Sequence, residues 1–97
     1  MISVHILYPK TDDDSTFNMD YYTSTHMPML AEALGDACKG WGASAMKAGP
    51  WQAIGWATVE SEDAFNSAMA EHGAKIMGDV PNYTNVAPEL VMGEIAH

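Results

Sequence analysis

Tyr22 and His26 stand four residues apart in the run Asn18-Met19-Asp20-Tyr21-Tyr22-Thr23-Ser24-Thr25-His26-Met27-Pro28-Met29-Leu30, and residues four apart share a helix face. An imidazole can both take and give a proton, and a phenol beside it can orient a bound oxygen. Pro28, two residues after His26, removes the helical hydrogen bond to the carbonyl four residues back, that of Ser24. In an ordinary helix interior this costs about 3 kcal/mol. His26 is therefore the candidate general acid or base, over a locally strained turn, and Tyr22 its hydrogen-bonding or substrate-orienting partner. The competing account makes His26 a core histidine bonded to the carbonyl that Pro28 frees. Tyr21, about 100° around the helix from Tyr22, reads as peripheral.

Three further groups are candidates for binding. His5 lies on the more polar side of the first strand pattern, where it could polarise a carbonyl or phenol or sit in an interface. Asp79 and Tyr83 fall in the polar turn Asp79-Val80-Pro81-Asn82-Tyr83-Thr84-Asn85; Asp79 can cap a helix end or organise the turn, and Tyr83 can close a pocket. His72 reads as a cation or core edge late in a helix. No His-x-x-x-His or Cys-x-x-Cys spacing points to a metal. No Gly-x-Ser-x-Gly elbow exists, and the only cysteine, Cys38, lies near Asp36, a poor setting for a thiolate. The eight methionines and three tryptophans read as core and pocket filler rather than redox apparatus.

These residues must be positioned by a small scaffold. A chain of 97 residues has room for one domain that buries around 60 to 65% of its unfolded surface, so self-association would help it. Four Lys and Arg against 13 Asp and Glu leave a net charge of -9, which repels phosphate and anionic lipid and excludes nucleic acid and membrane surfaces as natural partners. A lone cysteine excludes an internal disulfide. The N-terminal residues read as a strand rather than a leader, and no stretch approaches a membrane span. A cytoplasmic setting is expected.

Six elements follow from the patterning. Ile2, Val4, Ile6 and Tyr8 alternate as in a strand closed by Pro9. Lys10 to Thr16, with three consecutive aspartates, is an acidic surface turn. Asn18 caps a helix whose stripe is Tyr22, His26, Met29, Leu30, Ala33 and Leu34, stopped by Gly35. Strands over residues 38–47 and 51–60 are joined at Ala48-Gly49-Pro50. Ser61 caps a second helix with Phe65, Ala68, Met69 and His72 on its buried stripe, closed or bent at Gly73 before a short continuation through Ile76 and Met77. The last strand spans 86–95. The order is the ferredoxin-like β-α-β-β-α-β, an α+β fold with two helices on one face of a four-stranded antiparallel sheet.

The opposite sheet face should be polar if it meets water. It does not read so: the first strand carries Leu7 beside His5 opposite Ile2, Val4 and Ile6, the third has Ile54 and Trp56 on one side with Ala53, Ala57 and Val59 on the other, and the last has Leu90 and Met92 on one face with Val91 and Ile95 on the other, so both faces read as covered. A second copy packing sheet to sheet is the economical cover, enclosing a space into which His5 and either Trp41 or Trp56 would project, near the imidazole.

The chain resembles the EthD-like proteins, named for an ethyl tert-butyl ether degradation protein, in the dimeric α+β barrel group. The likeness shows in Leu7-Tyr8-Pro9, in Phe17-Asn18-Met19-Asp20-Tyr21-Tyr22 followed by Thr25-His26-Met27-Pro28, in Ser61-Glu62-Asp63-Ala64-Phe65, and in residues 79–85 before Pro88. The Tyr-Tyr-x-x-x-His-x-Pro run is the most specific of these; Asn18 stands where Asp is the commoner residue. The resemblance implies a homodimer with a pocket between helices and sheet and no resident metal or organic cofactor. Related barrels include cofactor-free monooxygenases of aromatic substrates and decarboxylases, dehydratases or cyclases of polyketide-like phenols. The expected ligand is a small hydrophobic molecule, aromatic, phenolic or ether-derived, handled by His26 and Tyr22 with His5, Trp56, Tyr83 and Asp79 around it. The alternative is a non-catalytic accessory or binding protein of an ether or aromatic degradation pathway.

Overall fold

A strand with one buried face needs apolar residues at every second position, and the computed structural model, which describes residues 1–97, buries Val4, Ile6 and Tyr8 of strand β1 (Ile2–Pro9) in this way. The others are β2 (Cys38–Ala45), β3 (Trp51–Val59) and β4 (Glu89–Glu94). They form one antiparallel sheet in the order β2-β3-β1-β4, the ferredoxin-like arrangement the patterning predicts. β4 is shorter than the expected 86–95 because Pro88 has no N–H to give a ladder.

The first helix winds without a break through α1 (Met19–Tyr21), a π-helical segment Tyr22–His26, and α2 (Met27–Leu34). Asn18 caps it, its side chain accepting the Tyr21 N–H at 3.1 Å. The disturbance expected at Pro28 takes the form of the π winding: the Met27 N–H reaches back five residues to the Tyr22 carbonyl, a widened turn of the kind found at functional positions. The extra residue rotates the buried stripe. Met27 is fully buried and Met29 only half-buried, where the regular spacing predicts Met29. Gly35, at φ 58°, ends α2.

The long helix α3 (Glu62–Gly78) is capped by Ser61, which accepts the Ala64 N–H at 3.1 Å. It runs as one helix through Gly73, taking in the continuation through Ile76 and Met77 with no closure between; an interior glycine costs only about 1 kcal/mol, and burial of Phe65, Ala68 and Ile76 holds both sides of it to the core.

The register separates the two sheet faces. Gly42, Trp56, His5 and Val91 lie in one row across the four strands on the face away from the helices. Trp41 pairs with Ala57 and faces the helix side, so Trp56 is the tryptophan that accompanies His5. On the helix side, Gly55 admits the Tyr22 side chain: a Cβ there would run into the Tyr22 hydroxyl and ring. That hydroxyl is buried and finds no hydrogen-bond partner.

Gly55→Ala is therefore expected to destabilise by about 1–3 kcal/mol through overpacking. Tyr22→Phe, which removes a buried unpartnered hydroxyl, is expected to be neutral or stabilising and to restore part of the loss in the double variant. Denaturant unfolding of the three proteins measures this, and an unaffected Gly55→Ala protein would contradict the close approach.

Candidate functional site

His26 is 3% exposed and both its ring nitrogens are engaged. Nδ1 lies 2.9 Å from Asp79 Oδ2, and Nε2 lies 3.2 Å from the Tyr83 hydroxyl, which in turn meets the Tyr8 hydroxyl at 2.7 Å. An ionised carboxylate can only accept, so Nδ1 carries the proton and Nε2 accepts from Tyr83. The line then reads Tyr8 to Tyr83 to His26 to Asp79, each group donating to the next. The imidazole's basic nitrogen points along the two phenols, and its other nitrogen is anchored.

Each member is brought in by a separate element. Tyr8 ends the inward alternation of β1; His26 is the last residue of the π winding; Asp79 caps the C-terminus of α3; Tyr83 follows a 3-10 turn, Val80–Asn82. Asp79 is fixed on its other oxygen, Oδ1 accepting from the Tyr21 hydroxyl at 2.7 Å and from Asn82 Nδ2 at 2.9 Å. Partial burial pushes the Asp79 carboxyl up, but the hydrogen bonds from Tyr21, Asn82 and His26 outweigh it and hold it below the usual carboxylate range. Burial raises Tyr8 and Tyr83 well above the ordinary phenol range. They are neutral hydroxyls at physiological pH, suited to relaying a proton rather than to serving as phenolates.

Tyr8, His26 and Tyr83 line one end of a cavity of about 100 Å³ whose other walls are apolar side chains of β1, the two helices and β4. Leu90, on the helix side of β4, and Met77 lie at its edge and are 49% and 56% exposed. The cavity is smaller than typical ligand pockets, and its exposed edge is where it can widen.

The structure brings His26, Asp79 and Tyr83 together and distributes the other candidates elsewhere. Tyr22 stacks on the imidazole, ring centroids 5.5 Å apart and planes 14° from parallel, but its hydroxyl reaches neither ring nitrogen; the hydrogen bond expected from Tyr22 is made by Tyr83. The Ser24 carbonyl is not the partner of His26 either. Asp79 does cap a helix, as turn chemistry suggests, and also anchors the imidazole; it does not line the cavity. His5 and Trp56 are on the opposite sheet face, so the expectation of one chamber shared with the imidazole is corrected: the sheet itself lies between. Tyr8 and Tyr21 are the participants that sequence reasoning passes over. Inward alternation marks Tyr8 as buried, while only the fold reveals that its hydroxyl meets another phenol. No group of three or more His, Cys, Asp or Glu side chains converges to hold a metal ion.

Because Asp79 is held below its unfolded value, roughly 3.9 for a free side chain, its stabilising contribution is complete above about pH 4 and is lost as pH falls through the lower folded value. Asp79→Asn lacks this contribution. The stability gap between wild type and Asp79→Asn is expected to be widest near neutrality, about 1–3 kcal/mol for a broken buried hydrogen-bond set, and to close on acidification below about pH 4. Thermal unfolding across pH reads it; a gap that grows in acid would contradict the assignment.

No protein-family model matches the sequence, and no curated protein does. Among solved structures, the chain is similar to an EthD-like protein from Ralstonia eutropha JMP134, with 37% identity over 99% of this chain and 92% of that one and a TM-score of 0.87. More distant likenesses share the fold: SnoaB, a cofactor-independent oxygenase from Streptomyces nogalater, at 10% identity, 99% and 92% coverage and TM-score 0.64, and the ActVA-Orf6 monooxygenase of Streptomyces coelicolor, determined with nanaomycin D, at 13%, 99% and 88% and 0.68. With more than a third of its residues identical to the Ralstonia protein across nearly its whole length, the chain belongs to the EthD-like family.

Proposed function

We propose that this protein binds a small hydrophobic molecule, aromatic, phenolic or ether-derived, in the cavity beside His26 and acts on it as a cofactor-independent enzyme through proton transfer. The observation that carries this reading is the buried hydrogen-bonded line Tyr8–Tyr83–His26–Asp79 ending in an apolar cavity. A ligand hydroxyl or activated C–H gives up its proton, Nε2 receives it directly or across the Tyr83 hydroxyl, and Asp79 stabilises the imidazolium that forms. The ligand anion left behind is set up for dehydration, cyclisation, decarboxylation or addition of dioxygen. The likeness of fold to a cofactor-independent oxygenase is compatible with the last of these, although a fold alone does not choose a reaction.

A homodimer completes the proposal. The face away from the helices presents Trp56, 37% exposed, and Val91, 48% exposed, beside Leu7, His5 and Ile54, and a self-complementary apolar sheet face is best covered by a second copy. His5 and Trp56 then serve that interface. No helix is long and apolar enough to cross a membrane, and we place the protein in the cytoplasm.

Two measurements test this section. His26→Gln is expected to lower turnover by about 10²–10⁴-fold while ligand still raises the melting temperature; a variant that loses binding with no turnover detectable in the wild type supports a non-catalytic binding protein instead. In light scattering the wild type is expected at twice its 10.5 kDa chain mass, and Val91→Glu at the chain mass itself. A wild type that stays monomeric at high concentration rules out the interface.

A further inference from the structure

We infer that the cavity beside His26 selects an uncharged, weakly acidic oxygen compound, a phenol or an enol, and rejects carboxylates and other anions. The inference rests on the proposed reading of this cavity as a ligand site and narrows it. Its ground is the location of every lysine and arginine side chain. The chain has four, all lysines, and none lines the cavity. Lys10 and Lys47 border a groove at the β2–β3 hairpin, Lys75 lies in a separate groove between the two helices, and Lys39 Nζ donates to the Asp36 carbonyl. The one charged group next to the polar end of the cavity is Asp79, behind the imidazole.

A carboxylate entering this space would leave water without meeting a counter-charge, and an isolated buried carboxylate is strongly disfavoured. Protonating His26 to meet a carboxylate would need a proton drawn from solvent, whereas a phenol or enol brings its own, so the site gains no net charge when it binds. A neutral phenol or enol avoids the conflict. It enters uncharged and places its oxygen at the Tyr8, Tyr83 and His26 end. Its O–H bond then breaks, the proton moving to His26 Nε2 and the electron pair staying on the ligand oxygen. The total charge in the site is the same before and after, and no oxidant or reductant is needed. The volume fits the same class: an apolar cavity of about 150 Å³ holds a benzene ring, so the observed 100 Å³ needs only modest widening at Met77 and Leu90 to take one. Among the proposed reactions, those beginning from a phenolate or enolate follow, and decarboxylation of a free carboxylate does not.

Phenol and benzoate are matched single-ring probes. Titration of the full chain at neutral pH, followed by isothermal calorimetry and by the NMR signals of His26 and Tyr83, is expected to show phenol binding at least about tenfold more tightly than benzoate. Met77→Lys places a cation at the exposed cavity edge, a position where a lysine can fold, and is expected to raise the affinity for benzoate several-fold relative to that for phenol. Benzoate binding to the wild type as tightly as phenol overturns the charge selection and leaves the ligand site standing. A Met77→Lys protein with no gain for benzoate over phenol assigns the preference to shape and also overturns it. If neither probe perturbs His26 or Tyr83, the ligand site itself is lost and this inference with it.

Discussion

The imidazole of His26, sealed from water between a carboxylate and a phenol, is the interaction on which the site and much of the tertiary structure depend. It ties the π winding of the first helix to the residue that caps α3 and to the turn beyond it, across more than fifty residues of chain. A buried polar group with both nitrogens satisfied rigidifies its surroundings, and one left unsatisfied costs about 1–3 kcal/mol. The three anchors on Asp79, from Tyr21, Asn82 and His26, make the carboxylate the fixed point of this junction. Because Tyr21 is itself held by the helix start that Asn18 caps, the geometry of the cap propagates to the imidazole.

The π winding makes the junction possible. In a regular helix the stripe from Tyr22 would continue through Met29, and Met27 would lie off it. The widened turn moves Met27 into the core and leaves His26 at the boundary between two windings. Gly55 makes the complementary concession from the sheet, giving up a side chain so that Tyr22 can lie under the imidazole. The unpartnered Tyr22 hydroxyl is the residue of that compromise: the ring is wanted as a platform, and its polar end has nowhere to bond.

What was legible in the residues followed periodicity. Alternation at Ile2, Val4, Ile6 and Tyr8 marks a strand with one buried face, and Asn18 and Ser61 mark helix starts through their capping chemistry. The four-residue spacing of Tyr22 and His26 marks two rings on one face. Pro28 signals that the helix is disturbed but not that the answer is an added residue in the turn, because that choice depends on what Met27 can pack against. The partners of His26 were hidden for a different reason. Tyr8, Asp79 and Tyr83 lie on three other elements, and a hydrogen bond between them is a property of the packed layers rather than of any local pattern. Asp79 in particular satisfies its turn chemistry and the imidazole together, so its local signal conceals its tertiary one. The split of His5 from His26 likewise needed the register, since patterning shows that both sheet faces are apolar without showing which residue meets which.

That split gives the two sheet faces separate work. The face bearing Trp56 and His5 has exposed apolar area and a single neighbouring carboxylate in β4, Glu89, set opposite Leu7; it is the face the proposed dimer would cover. The helix face opens beside β4, where the hydroxyls of Tyr8 and Tyr83 and the imidazole meet an apolar space; it is the place of the proposed ligand. A chain with net charge -9 could bind neither an anion nor a second copy easily through a charged surface. It keeps most of its carboxylates on exposed turns and helix faces and brings one of them, Asp79, into the interior. There the hydrogen bonds that hold it ionised also direct its charge at a single imidazole, so the negative field that covers the rest of the molecule is focused at the site into a bias on where one proton rests.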